Sequence, residues 1–112
     1  MMMVGISSPF GGRTRTRVLV ALQLLDESYP RELARVLETS LSGVQGALRG
    51  LERDGLVAGR LRGRTRLYRL NPAYFAFDEF RSFLARLAEA EGETARAITS
   101  MRRRPRRVGK PL

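Results

Sequence analysis

Arg60, Arg62, Arg64 and Arg66 occupy alternate positions across a seven-residue stretch that contains Gly63. A guanidinium is a permanently charged fork that meets a phosphate through two parallel hydrogen bonds, so the chemistry this stretch offers is anion recognition. A second basic group, Arg102, Arg103, Arg104, Arg106, Arg107 and Lys110, closes the chain. Residues that build reactive centres are missing. The chain has neither histidine nor cysteine, which removes Ser-His-Asp and Cys-His nucleophiles, ordinary zinc sites and disulfides. Its carboxylates are scattered over what read as helix surfaces, with no paired cluster to hold a metal or share a proton. The expectation is a binding protein: no enzyme, no cofactor and no metal.

Net charge is +10 over 112 residues, and every cation but Lys110 is arginine. Such a balance favours a polyanionic partner, because each neutralised phosphate releases counterions. The charge is unevenly placed, with +5 over residues 31–70 and +6 over 101–112 against −2 over 74–98. The middle and the tail are therefore the candidates for touching nucleic acid, and the segment between them is not. The length suits one compact domain. No apolar stretch approaches the roughly 20 residues that span a bilayer, and Met1–Ile6 lacks the basic start and apolar core of a secretory signal. A cytoplasmic, nucleoid-associated protein with no membrane partner is expected.

The elements that must position these groups follow from periodicity. Residues 1–12 read as a flexible arm. From Thr14, Val18, Ala21, Leu22 and Leu25 repeat at helical spacing. Asp26 to Tyr29 break the pattern, and Pro30 suits the first position of a short helix to about Glu38 that buries Leu33, Ala34 and Leu37. Thr39 and Ser40 supply capping oxygens for a third helix, about Leu41 to Asp54, whose apolar face is Val44, Ala47, Leu48 and Leu51. Gly55 stands where a helix end needs a left-handed residue. Residues 56–62 and 65–70 alternate apolar and basic as a hairpin turning at Gly63-Arg64, with Leu61, Leu67 and Val57 inward and the arginines outward. A helix from Tyr74 to Glu91 carries Phe77, Phe80, Phe83, Leu84 and Leu87. A further short helix would hold Ala95, Ile98 and Met101, ahead of a basic tail with nothing to bury.

Helix, short helix, tight turn, helix, hairpin, helix is the winged helix-turn-helix plan. The runs Leu48-x-x-Leu51-x-x-x-Gly55-Leu56-Val57 and Gly63-Arg64-Thr65-Arg66-Leu67-Tyr68-Arg69-Leu70 resemble those of ArsR/MarR-type repressors. The resemblance spans about residues 14–90. It implies a mainly α fold with a small β-hairpin (α+β), comprising a winged helix-turn-helix domain over 13–91 and a C-terminal dimerisation helix at 74–91. Residues 92–112 are left as a short helix and a disordered basic tail. It also implies a sequence-specific DNA-binding transcriptional regulator, a repressor, acting on double-stranded DNA as a homodimer. Phe77, Phe80, Phe83, Leu84 and Leu87 would pair two subunits, helped by Val18, Leu22 and Leu25; packing within one subunit is the alternative. Metal-sensing members of the family use cysteine and histidine ligands, which this chain lacks.

A major groove about 12 Å wide admits one helix, whose exposed side chains meet base edges. With Val44, Ala47, Leu48 and Leu51 buried, the third helix presents Ser42, Gln45, Gly46, Arg49 and Arg53. Gln45 and Arg49, one turn apart, suit adenine and guanine respectively. Arg31, Arg35, Thr39 and Ser40 flank them, and Arg60, Arg62, Arg64 and Arg66 form the wing, which would reach the backbone or the minor groove. A merely solvated strand edge is the alternative for those wing arginines. Gly43, Gly46 and Gly50 each cost about 0.8–1 kcal/mol in a helix interior. They reflect either close approach of the helix to DNA or no demand for helicity. Ala47 stands where many ArsR relatives have a polar residue, which leaves more of the binding to phosphates and DNA shape. Two other readings stay open: an antitoxin-like or enzyme-partner module that binds a protein, and RNA binding led by residues 102–107.

Overall fold

The computed structural model describes residues 10–90, 92, 96–98 and 100; the expectations for residues 1–9 and for the tail fall outside the described residues. The elements are α1 (Arg13–Leu25), α2 (Pro30–Leu37), α3 (Leu41–Arg53), β1 (Val57–Arg62), β2 (Thr65–Leu70) and α4 (Phe77–Ala90).

The run Val18-Leu19-Val20-Ala21-Leu22 gives α1 apolar residues on every side, and it is buried accordingly. A helix apolar all round belongs in a core, and α1 packs against α2, α3, β2 and α4. Its buried Thr16 hydroxyl is satisfied by donating to the Gly12 carbonyl at 2.9 Å. Pro30 fills the first position of α2, where its missing N–H costs nothing. Ser40 caps α3, its hydroxyl accepting from the Gly43 N–H at 3.0 Å, a contact worth about 0.5–2 kcal/mol. Gly55, at φ 83°, turns the chain out of α3, and the Leu56 N–H closes the helix end on the Leu51 carbonyl.

The hairpin is antiparallel, with Val57 opposite Leu70 and Arg62 opposite Thr65, leaving Gly63-Arg64 as a two-residue turn. Gly63 adopts φ 65°, as the first position of such a turn demands. Ser28 extends the sheet on the other side, exchanging both backbone hydrogen bonds with Tyr68. This register corrects the expected inward set. Val57, Tyr68 and Leu70 are buried, Leu67 is half-buried and Leu61 is 68% exposed. Leu61 shares the face of Val57 but lies four pairs nearer the turn, past the end of the body. Leu67, opposite Arg60, is on the other face.

The last helix starts at Phe77, not Tyr74. The Asn71 side chain delays it: its Oδ1 accepts from the Ala73 N–H and its Nδ2 donates to the Gly55 carbonyl, holding residues 71–74 in a turn. Phe80, Leu84 and Leu87 are buried in the same core as Val18, Leu22 and Leu25, with Phe77 half-buried beside them. Most of the residues expected between subunits therefore close the protomer's own core. Of that set Phe83 keeps substantial exposure, 46%, and it lies against Phe10 at 5.9 Å between ring centroids. Ile98 is buried in a helical segment at 96–98.

Arg15 ties three parts of this arrangement together. Its Nε donates to the Phe10 carbonyl and its Nη2 to Asp54 Oδ2, both at 2.7 Å, joining α1 to the end of α3. The hydrogen bond from Arg15 holds the Asp54 carboxyl below its ordinary 3.8. A depressed folded-state pKa contributes stability above the unfolded value, and that contribution is lost as pH falls through the folded one. Asp54→Asn is thus expected to be less stable than the parent chain at neutral pH. The gap should close as pH drops below 3.8, checked by urea denaturation across an acid pH series. A gap unchanged down to acid would show that the carboxylate charge is immaterial.

Candidate nucleic-acid interface

Helix α3 divides as its sequence pattern requires. Val44, Ala47, Leu48, Gly50 and Leu51 are buried, while Ser42, Gln45, Arg49 and Arg53 are exposed and Gly46 is half-buried. Gln45 and Arg49 share the exposed side. On α2, Arg31 and Arg35 are exposed and form no ion pair among the described residues. Two candidate hydroxyls are already engaged: Thr39 donates to the Leu37 carbonyl at 3.2 Å, and Ser40 is the α3 cap.

The four wing arginines are not equivalent. Arg60 donates Nε and Nη2 to the two oxygens of Glu27 at 3.1 and 3.2 Å. Arg66 points back toward the body, donating to Glu52 Oε2 at 2.8 Å, with its guanidinium 5.6 Å from the Tyr68 ring centroid. The Glu52 hydrogen bond raises the Arg66 pKa further, with Tyr68 adding to it, so this group stays charged. Arg62 and Arg64 at the turn are exposed and without an ion pair among the described residues.

Between α3 and the wing lies a groove of about 330 Å³ whose walls include Arg31, Gln45, Arg64, Thr65 and Arg66. It joins the start of α2, the first turns of α3 and the wing, which are far apart in the chain. Sequence reasoning names Arg31, Gln45, Arg64 and Arg66 as separate residues. It misses Glu27, Glu52 and Arg15, whose partners lie 14 to 39 residues away. No local spacing announces them. Among the described residues no group of three metal-ligating side chains occurs, and no helix is long and apolar enough to cross a membrane.

The α3 glycines now separate. A Cβ on Gly50 would fall 2.7 Å from Arg15 Nη1, so this buried glycine makes room for the Arg15–Asp54 bridge. A Cβ on Gly43 would crowd the Ser40 cap at 3.0 Å. On Gly46 it would meet nothing nearer than Arg49 Nη2 at 3.7 Å, so no contact within the protomer explains that glycine.

No protein-family model matches the chain, and no curated protein sequence does. Solved structures do. Reduced HlyU from Vibrio cholerae is 32% identical with TM-score 0.52, covering 67% of this chain and 75% of HlyU. HlyU belongs to the ArsR/SmtB family. The chain is an ArsR/MarR-type winged helix-turn-helix transcriptional regulator. The adhesin competence repressor AdcR of Streptococcus pyogenes has the same fold at 14% identity and TM-score 0.61, over 89% of this chain and 72% of AdcR. So does a MarR family regulator from Silicibacter pomeroyi, at 22% identity and TM-score 0.60, over 88% and 68% of the two chains. In this winged-helix regulator α3 holds the recognition-helix position and β1–β2 the wing.

The glycine assignments carry a stability prediction. Gly46→Ala should stabilise the regulator by about 0.8–1 kcal/mol, the helix-propensity difference. Gly50→Ala should gain measurably less, since the added methyl displaces the Arg15 guanidinium from Asp54. Equal gains in urea denaturation would contradict the role given to Arg15.

Proposed function

We propose that this regulator binds DNA sequence-specifically as a repressor, with α3 in the major groove and the wing on the adjacent backbone or minor groove. The observation that carries the reading is the groove between α3 and the wing. It sets Gln45, a base-reading side chain, beside Arg31 and Arg64, which suit phosphate, with the Glu52-paired Arg66 in the same wall. Gln45 and Arg49 read bases; Arg31, Arg35, Arg53, Arg62 and Arg64 hold phosphates. Gly46 lets the helix backbone approach closely. By blocking access to promoter DNA in the nucleoid, such a protein represses.

The working unit in this reading is a homodimer joined through the terminal helices. Phe83 and Phe10 are the apolar surface that supports it, and two α3 helices would then meet successive major grooves about 34 Å apart. Phe83→Glu should shift the protein toward monomer in sedimentation without unfolding it. A second reading, docking of another protein, is favoured by Phe75 in the turn before α4, which is 91% exposed.

A salt-controlled titration with a duplex selected from a randomised library, and with its scrambled counterpart, tests the main reading. Arg64→Ala should weaken both duplexes alike and reduce the salt slope by about 0.9, one phosphate contact. Gln45→Ala should cost about 1–3 kcal/mol on the selected duplex alone. Parallel losses on both duplexes for both variants would contradict this division of roles. No binding at low salt would move the protein-partner reading to the front.

A further inference from the structure

We infer that Arg66, although a wing arginine, is a positioning residue rather than a phosphate contact. Glu52, Arg66 and Tyr68 form a clamp, fitted over Gly59, that fixes the wing against the recognition helix and so sets DNA specificity. This rests on the DNA-binding reading and deepens it.

Glu52 lies near the end of α3, in line with the exposed Arg49 and Arg53, where a carboxylate opposes an approaching phosphate backbone. Electrostatics alone would disfavour it. Its partner is on the other element of the interface: the Arg66 Nη2–Glu52 Oε2 contact, at 2.8 Å, links α3 to β2. Tyr68, buried on the same face of β2, carries the guanidinium against its ring, so the fork is held on two sides. Across the strand pair, Gly59 stands opposite Tyr68. A Cβ there would lie 2.8 Å from Arg66 Nε and 3.0 Å from both Arg66 Nη2 and Tyr68 Cε2. The strand has left out a side chain where the guanidinium lies.

The Ser28–Tyr68 backbone pair and the buried Val57 and Leu70 anchor the base of the ribbon, but its outer half projects from the body and is held there by side chains. Arg60 braces the outer face on Glu27; Arg66 braces the inner face on the recognition helix itself. Losing that brace removes no DNA-contacting side chain but lets Arg62 and Arg64 swing relative to Gln45 and Arg49. Nonspecific attraction survives, since it depends on charge. The simultaneous fit that distinguishes one sequence from another is lost.

Charge and position therefore predict opposite signs, which makes the inference testable. The full chain and its Glu52→Gln, Arg66→Gln, Gly59→Ala and Glu52→Gln/Arg66→Gln variants are titrated with the library-selected duplex and its scrambled counterpart. The expected result is that each single variant lowers the ratio of the two affinities by about tenfold, at the low end for losing one base contact. The double variant should lower it no further than either single. Glu52→Gln should weaken the selected duplex even though it makes the protein more positive, and Gly59→Ala should do so with no change in charge.

Tighter binding of Glu52→Gln to both duplexes with an unchanged ratio would overturn the clamp. So would an Arg66→Gln loss that is equal on both duplexes with a salt slope reduced by one contact, because Arg66 would then be an ordinary phosphate ligand. Failure of the underlying reading looks different. If the wild-type chain selects no preferred duplex, there is no specificity to position, and the clamp falls with it. A preferred duplex with unaltered ratios in the variants removes the clamp alone.

Discussion

The interior position of α1 is the constraint on which the rest depends. A helix with Val18, Leu19, Val20, Ala21, Leu22 and Leu25 on all sides has no face to give to solvent, so other elements must surround it. Helices α2, α3 and α4 and strand β2 do so. Each of those has only one apolar side and must turn it inward. For α3 that side is Val44, Ala47, Leu48 and Leu51, and burying it leaves Ser42, Gln45, Arg49 and Arg53 with no place but the surface. The outward display is thus a consequence of core formation. Each fully buried leucine contributes about 1.5–3 kcal/mol, whereas an exposed ion pair contributes about 0–1 kcal/mol. The apolar contacts build the frame, and the ion pairs adjust it.

That adjustment is where most of the carboxylates near the basic surface are spent. Glu27 takes Arg60, Glu52 takes Arg66 and Asp54 takes Arg15. Pairs of this kind add little stability, but a guanidinium fork bound to a carboxylate has a defined direction. They sort a chemically uniform set of arginines into braces and free cations. Among the candidate DNA-face arginines, Arg31, Arg35, Arg49, Arg62 and Arg64 form no ion pair with a described residue. Glycine is used in the same way: Gly50 and Gly59 each clear the volume that a bracing guanidinium occupies.

The order of elements, the N-cap at Ser40, the turn at Gly63-Arg64 and the buried face of α3 were legible in the sequence because each rests on neighbours a few residues apart. Three things were not. The hairpin's buried set depends on how far the strands project beyond the body, which alternation does not encode, so Leu61, expected inside, is exposed. The start of α4 depends on the Asn71 side chain reaching the Gly55 carbonyl, sixteen residues back. The phenylalanine and leucine stripe of α4 has the same spacing whether it faces a second subunit or the protomer's own α1, and most of it faces α1. The DNA-face candidates were readable as residue types. The division of the wing arginines into paired and unpaired groups was not, because the partners of Arg60 and Arg66 lie 33 and 14 residues away.

Amide hydrogen exchange of the full chain, free and saturated with the library-selected duplex, tests the central claim most directly. The account predicts that slowed exchange on DNA binding concentrates in residues 41–53 and in the wing, 57–70, with the exposed side of α4 unchanged. Protection confined to α4 or to the turn around Phe75, with α3 and the wing unaffected, would contradict it.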